Sequence, residues 1–344
     1  MKQKTGILLI NLGTPDSPSV GDVRTYLREF LMDPYVIDIP LWKRFLLVNF
    51  IIAPFRAPKS AKLYKEIWTK DGSPLLIHTR NLATRLEETL GESHQVKWAM
   101  RYQHPGIGET ITQWKELHDL SELVVIPLYP QPASSSTTST IELVRRIFKK
   151  YSLKIPVRIV DKFYDHPSYL DAVAASASGI SFAEYDHILF SFHGVPERHI
   201  LKDDHSGVCR INDSCCGQIS EKNEKCYRAA CFHTAREVAK RLRIPDNGFT
   251  VCFQSRLGSD PWVQPYTDKV IEEMGRKGNK KLLVFSPAFV ADCLETIYEI
   301  GVEYQELFQQ FGGEKVTLVP GLNDRPEWVQ TVAELALQSE QQPA

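Results

Sequence analysis

Apolar runs that stop at a turn recur along the whole chain: GILLINLG at 6–13, LVVIPLYP at 123–130, VRIVDKF at 157–163, HILFSFHG at 187–194, FTVCFQS at 249–255 and KLLVFSPA at 281–288. Helix-length stretches separate most of them. A strand that reads as an unbroken apolar run is covered on both faces, which parallel sheets achieve through helical crossovers. The predicted class is therefore α/β. A strand flows straight into a polar or glycine loop twice in each half, at INLGTP and PLYPQPASSST and then at SFHGVP and FSPAFVAD. The repetition implies two doubly wound, Rossmann-like lobes, each a parallel β-sheet flanked by helices. With 344 residues the chain also exceeds the roughly 250–300 that one core covers. The expected division is residues 1–162, with an apolar lip at about 40–75, then 163–322, with a cysteine-rich insert at 207–226, and a closing segment 323–344. In that last segment Trp328, Val332, Leu335 and Leu337 are spaced as one helix face, and QSEQQPA reads as a frayed end. Ligands of such sheets collect at the carboxyl ends of the strands.

Charge removes one class of function. Forty-one basic residues against forty-two acidic ones leave a net charge of -1, without the basic excess that a nucleic-acid partner requires. No GxxxxGK loop and no GxGxxG follows the first strand, so nothing beyond fold analogy supports a nucleotide site. The start, MKQKTGILLINLGTP, reads as a buried strand and not as a signal peptide. LWKRFLLVNFIIAPF at 41–55 is interrupted by Lys43, Arg44 and Asn49 and falls short of the ~20 residues of a spanning helix. A cytoplasmic chain is expected, soluble or peripheral at the inner face of the membrane, as a monomer or homodimer. Of its seven cysteines, Cys209, Cys215, Cys216 and Cys226 fall within 207–226, and in a reducing compartment clustered thiols more often hold a metal than form disulfides.

Two features carry chemistry. His193 ends the run HILFSF before Gly194, where a side chain leaves the sheet edge. An imidazole there is a candidate proton acceptor, and a histidine that merely caps the strand end is the alternative. In ADCLETIYEIGVEY, Asp292, Glu295, Glu299 and Glu303 follow the i, i+3, i+7, i+11 spacing of one helix face. Like charges one turn apart cost ~0.2–0.5 kcal/mol per pair, so the stripe is either a solvated acidic face or a place that cations visit. Carboxylates suit a hard divalent ion that must be passed on and not gripped.

Four segments, NLGTPDSPSVGDVRTYLREFL at 11–31, SFHGVPERHI at 191–200, FQSRLGSDPWVQPYTD at 253–268 and SPAFVADCLETIYEIGVEY at 286–304, resemble in order and spacing the signature segments of the ferrochelatase family. The resemblance covers essentially the whole chain. It implies chelatase-type lobes with the active site in the cleft between them, where a bent porphyrin loses two pyrrole protons and receives Fe²⁺ as the second substrate. Bending turns the nitrogen lone pairs out of the ring plane toward the incoming ion. By motif, His193 resembles the proton acceptor and Glu295 the carboxylate opposite it. The two are also implied metal contacts, with Asp292, Glu299 and Glu303 as an acidic track. Leu12, Arg56, Tyr64, Ser73, Ser136 and Trp262 resemble porphyrin contacts, Arg56 being suited to a propionate. Trp262 as ordinary core, and Ser136 with Thr137 as caps of a helix starting near Ile141, are the alternatives. The run 41–55 resembles an apolar lip in contact with a membrane, against which stands a plain buried helix. Cys293 occupies a place where many relatives carry histidine, so it is not expected to be an essential ligand.

Some ferrochelatases carry a [2Fe-2S] cluster, and the resemblance assigns it here to Cys209, Cys215, Cys216 and Cys226. A four-cysteine zinc site, a reactive thiol pair or an empty loop are the alternatives. Cys231 competes for the fourth place, but it lies on an apolar helix face with Ala235, Val238 and Leu242, and Cys252 lies inside a strand. The expected activity is protoporphyrin ferrochelatase, the last step of heme biosynthesis. A coproporphyrin-specific enzyme, a non-catalytic tetrapyrrole or metal carrier, and a thiol-based iron sensor are the other readings.

Overall fold

The computed structural model describes residues 4–338 apart from positions 116, 257 and 259, so all of the expected frayed tail beyond Gln338 lies outside the described residues. The chain divides into two compact units. The first comprises Met1–Tyr129, Ser134–Asp161 and Asp324–Ala344, and the second Pro130–Ala133 and Lys162–Asn323.

In the first unit, β1 (Thr5–Gly13), β2 (His94–Tyr102), β3 (Glu122–Pro127) and β4 (Val157–Ile159) form a parallel sheet in the order β2-β1-β3-β4. Residues Ile7 to Ile10 are fully buried because β1 lies inside the sheet with helices over both faces. At its end Gly13 takes φ +116°, and a Cβ there would lie 2.0 Å from the Tyr102 carbonyl oxygen, so only glycine fits. The helix Val20–Leu31 starts at Ser19, whose hydroxyl accepts the Asp22 amide at 3.1 Å, and buries Val23, Tyr26, Leu27 and Leu31 as one stripe.

The second unit repeats the plan. β5 (His187–His193), β6 (Phe249–Gln254), β7 (Lys281–Phe285) and β8 (Lys315–Leu318) are all parallel in the order β6-β5-β7-β8. The chain leaves β5 for β6 on one side and returns to β7 on the other, so the loops after β5 and β7 open side by side at a topological switch point. His193 ends β5, and the acidic segment follows β7.

Several expectations needed correction. β2 and β8 are not among the apolar runs of the sequence, because His94, Gln95, Lys97 and Arg101 interrupt β2 and Lys315 and Thr317 interrupt the short β8, each at the edge of its sheet. The carboxylate helix is not a plain α-helix from Asp292. It is π-helical over Glu295–Tyr304, and Asp292 precedes it. Ser136 and Thr137 do not cap a helix near Ile141, because they lie inside a π-helical turn, Ser134–Thr138, that runs into the helix Ser139–Lys150. In the closing helix Pro326–Leu337, Trp328, Val332 and Leu335 are buried, but Leu337 at its last position is 59% exposed, and Val329, Ala333 and Ala336 complete the packed face. The segment 41–55 is helical but not a plain buried helix: Arg44, Val48 and Ala53 are buried, whereas Leu41, Trp42, Phe45, Leu46, Phe50, Ile51 and Phe55 are all exposed, Phe55 by 74%. No helix among the described residues is long and apolar enough to cross a membrane.

Candidate active site and cysteine loop

The carboxyl edge of the second unit's sheet places His193 half-buried at the last position of β5. Its Nδ1 lies 2.5 Å from the Gly194 carbonyl oxygen. A carbonyl only accepts, so Nδ1 is the donor, and Nε2 is the nitrogen of the neutral ring that can accept a proton. The ring lies 6.1 Å from that of Phe289, in the loop after β7. Trp262 is buried against Gly194, where a Cβ would come within 3.2 Å of the indole and 2.8 Å of the Gln254 carbonyl oxygen. Trp262 thus packs on the residue next to the imidazole.

The four acidic residues separate into different roles. The Asp292 carboxylate accepts from the Thr296 hydroxyl at 3.0 Å, the Gly321 amide at 3.1 Å and the Asn323 side-chain amide at 2.7 Å. It holds the loop before the helix against the segment after β8. Glu299 accepts from the Gln254 side-chain amide at 3.1 Å, the Ser255 main-chain amide at 3.0 Å, the Tyr304 hydroxyl at 2.9 Å and the Ser255 hydroxyl. Glu295, partly buried in the first turn, meets the thiol of buried Cys293, whose pKa is raised by burial and by the Glu295 charge. Glu303 is exposed, and its carboxyl is pushed up by partial desolvation and by Glu299 and Glu306. On the other side of the helix Thr296, Ile300 and Tyr304 are buried, the last two in the core with Leu189, Cys252, Leu282 and Val284. A π-helix closes i→i+5 bonds, and such segments concentrate at functional sites. Among the described residues no three histidine, cysteine or carboxylate side chains converge as a ready-made metal cage. The residues expected to meet the ion are strung along one strand end and one helix.

Gln254 and Ser255 are bound into the same hydrogen-bond network, and the motif spacing did not single them out. Gln254, 1% exposed, accepts from the Ser191 hydroxyl at 2.8 Å and donates to the Glu295 carbonyl at 3.0 Å as well as to Glu299. Ser255 holds φ +65°, uncommon for a residue other than glycine, and in that conformation turns both its donors on Glu299. The legible signal was positional: Gln254 ends a strand, and Ser255 follows it, at the same sheet edge as His193.

In the first unit, Thr14 after β1 donates to Ser73 at 3.0 Å, and Asn11 donates to Thr79 at 3.0 Å. This ties the end of β1, which carries Leu12, to the first turns of the helix Pro74–Leu90. Arg56 is exposed on the helix Ala53–Ile67, while Tyr64 on the same helix is buried edge-on to Tyr26, with ring centroids 6.4 Å apart. Ser136 is partly buried in its π-helical turn.

The cysteine loop lies in the second unit. Cys215 and Cys216 have sulfurs 3.7 Å apart, and the thiols of Cys216 and Cys226 are hydrogen bonded. That bond, received by Cys226, lowers the Cys226 pKa and is the largest cause that raises that of Cys216, while burial raises Cys209. Cys209, Cys215 and Cys226 line one pocket. Cys216 joins Cys215 and Cys226, and Cys209 lies in the same pocket without touching another thiol, so the four are not drawn together as a finished cage, but their chemistry, with Cys226 biased toward thiolate, is that of an iron-sulfur donor set. Cys231 and Cys252 are fully buried with raised pKa values, Cys252 up to about 12, and stand apart as core.

A family model described as Ferrochelatase matches residues 4–340. Among curated proteins, one named Ferrochelatase from Coxiella burnetii (strain Dugway 5J108-111) is 45% identical over 338 residues, covering 98% of this chain and 94% of that one. Another of the same name from Legionella pneumophila (strain Paris) is 42% identical over 329 residues, covering 96% and 97%. Among solved structures, SirB from Bacillus subtilis with Fe3+ matches with a TM-score of 0.50 at 13% identity, over 98% of both chains, a likeness of fold alone.

Proposed function

The chain belongs to the ferrochelatase family, and on that premise we propose how its residues carry the insertion of Fe²⁺ into protoporphyrin, which forms protoheme and releases two protons. His193 Nε2 takes one pyrrole proton, passes it to water and then takes the second, and Glu295 offers the incoming ion a carboxylate. The observation that carries this division is that Asp292 and Glu299 are each held by three or more donors, whereas Glu295 sits in the first helical turn, next to the strand end that bears His193 through Gln254. Glu303, exposed farther along the helix, is where the ion first meets the protein. Leu12, Tyr64, Ser73, Ser136 and Trp262 contact the macrocycle, and the exposed guanidinium of Arg56 pairs with a propionate through its planar fork.

The test is anaerobic incubation of the protein with protoporphyrin and Fe²⁺, following the loss of free-porphyrin fluorescence. Stoichiometric heme formation supports the reading. Porphyrin binding without metal insertion would convert it to a carrier.

Two further assignments accompany this one. Cys209, Cys215, Cys216 and Cys226 would hold a two-iron, two-sulfur group, supported by the contacts of Cys216 with Cys215 and Cys226 and by the pocket that Cys209 lines with Cys215 and Cys226; when bound it supplies a one-electron redox centre. The exposed apolar stretch from Leu41 to Phe55 rests on a lipid surface, with Lys43 among its apolar side chains to meet anionic headgroups. Co-sedimentation with anionic vesicles checks this, and Phe55→Ser combined with Trp42→Ser should abolish it.

A further inference from the structure

We propose that Gln254 is a positioning residue that sets the Glu295 end of the π-helix against the strand end carrying His193, and that Glu299 is its anchor and not a stop on the ion's path. This rests on the roles proposed above for His193 and Glu295. Gln254 is paired with His193 in the β5–β6 register, and its carbonyl accepts the Gly194 amide at 2.7 Å. Its side chain reaches the other way. The amide oxygen takes the Ser191 hydroxyl, and the amide nitrogen divides its two protons between the Glu295 carbonyl and the Glu299 carboxylate. One buried side chain therefore binds both the strand of the base and the helix of the carboxylate.

Only an amide does this. A carboxylate at 254 would face Glu299 and the Glu295 carbonyl with acceptors alone, and an apolar side chain would leave both without that donor. Glu299 completes the argument. A carboxylate offers about four lone-pair sites, and here four donors fill them. To ligate a passing cation it would have to surrender the Gln254 amide, both Ser255 donors and the Tyr304 hydroxyl. Ser255 is held in a left-handed conformation that costs energy, and the direction of its two donors shows what that conformation secures.

The experiment compares the full-length protein with Gln254→Leu and Ser255→Ala by hydrogen–deuterium exchange over residues 294–304, by protoporphyrin fluorescence titration and by iron-insertion rates. In Gln254→Leu the helix amides should exchange about tenfold faster. Protoporphyrin Kd should stay within about twofold while kcat falls at least about tenfold, and adding Glu299→Gln should cost less than about threefold more, because the two act as one unit. Unchanged exchange, or losses that multiply in full in the double variant, would overturn the proposal. If Gln254→Leu does not fold, Ser255→Ala, which keeps Gln254 and the main-chain donor, decides by the same exchange and double-variant readouts. Failure of the unaltered protein to insert iron would remove the functional reading, while the exchange data would still judge the positioning.

Discussion

The Tyr227 hydroxyl donates to the main-chain carbonyl of His193 at 2.7 Å. Tyr227 opens the helix Tyr227–Arg241, and Cys226 is the residue before it, so one hydrogen bond ties the helix that follows the cysteine loop to the backbone of His193. Burial raises the Tyr227 pKa well above its ordinary value, so the hydroxyl keeps its proton and remains a donor at every working pH. Tyr227→Phe should cost about 1 kcal/mol of stability, read as a lower Tm, because one buried carbonyl loses a partner. The same variant should lower the insertion rate without changing porphyrin affinity.

His193→Ala should bind protoporphyrin normally, as judged by fluorescence titration, yet lose insertion by about 10²–10⁴-fold, the range of a removed general base. Near-normal turnover would make His193 a strand-end cap. Asn in its place, which keeps polarity without a basic nitrogen, should not restore the rate.

Glu295→Gln should slow insertion far more than Glu303→Gln, measured as initial rates at limiting Fe²⁺. Equal, mild losses would reduce the carboxylates to a solvated face. Glu303 also predicts a pH signature. Its folded-state pKa lies above the unfolded value, so its carboxyl contributes no penalty below about pH 4, where both states are protonated, and loses stability for the folded chain as pH rises through the folded pKa. Glu303→Gln should therefore melt above the unaltered protein at pH 7, and the gap should close on acidification.

Replacing any of Cys209, Cys215, Cys216 or Cys226 by serine should abolish the visible absorption of the as-isolated protein, whereas Cys231→Ser should leave it. A colourless protein that still inserts iron would remove the cluster and keep the chelatase.

Much of the fold was legible because burial on both faces leaves a continuous apolar run, and β1, β3, β4, β5, β6 and β7 announced themselves in that way. The sequence by itself also determined that His193 ends a strand and that Glu295, Glu299 and Glu303 recur at a spacing of four, since strand ends and helical periods are local properties. Tertiary structure decided which of these residues have capacity to spare. Glu299 is filled by Ser255, 44 positions away, and Asp292 by Asn323, 31 positions away. Gln254 gains its meaning only when β6 is laid beside β5 and beneath the π-helix. Hydrogen-bond partners brought together by sheet register leave no periodic trace along the chain, so the acidic stripe looked uniform until the fold assigned each carboxylate its donors.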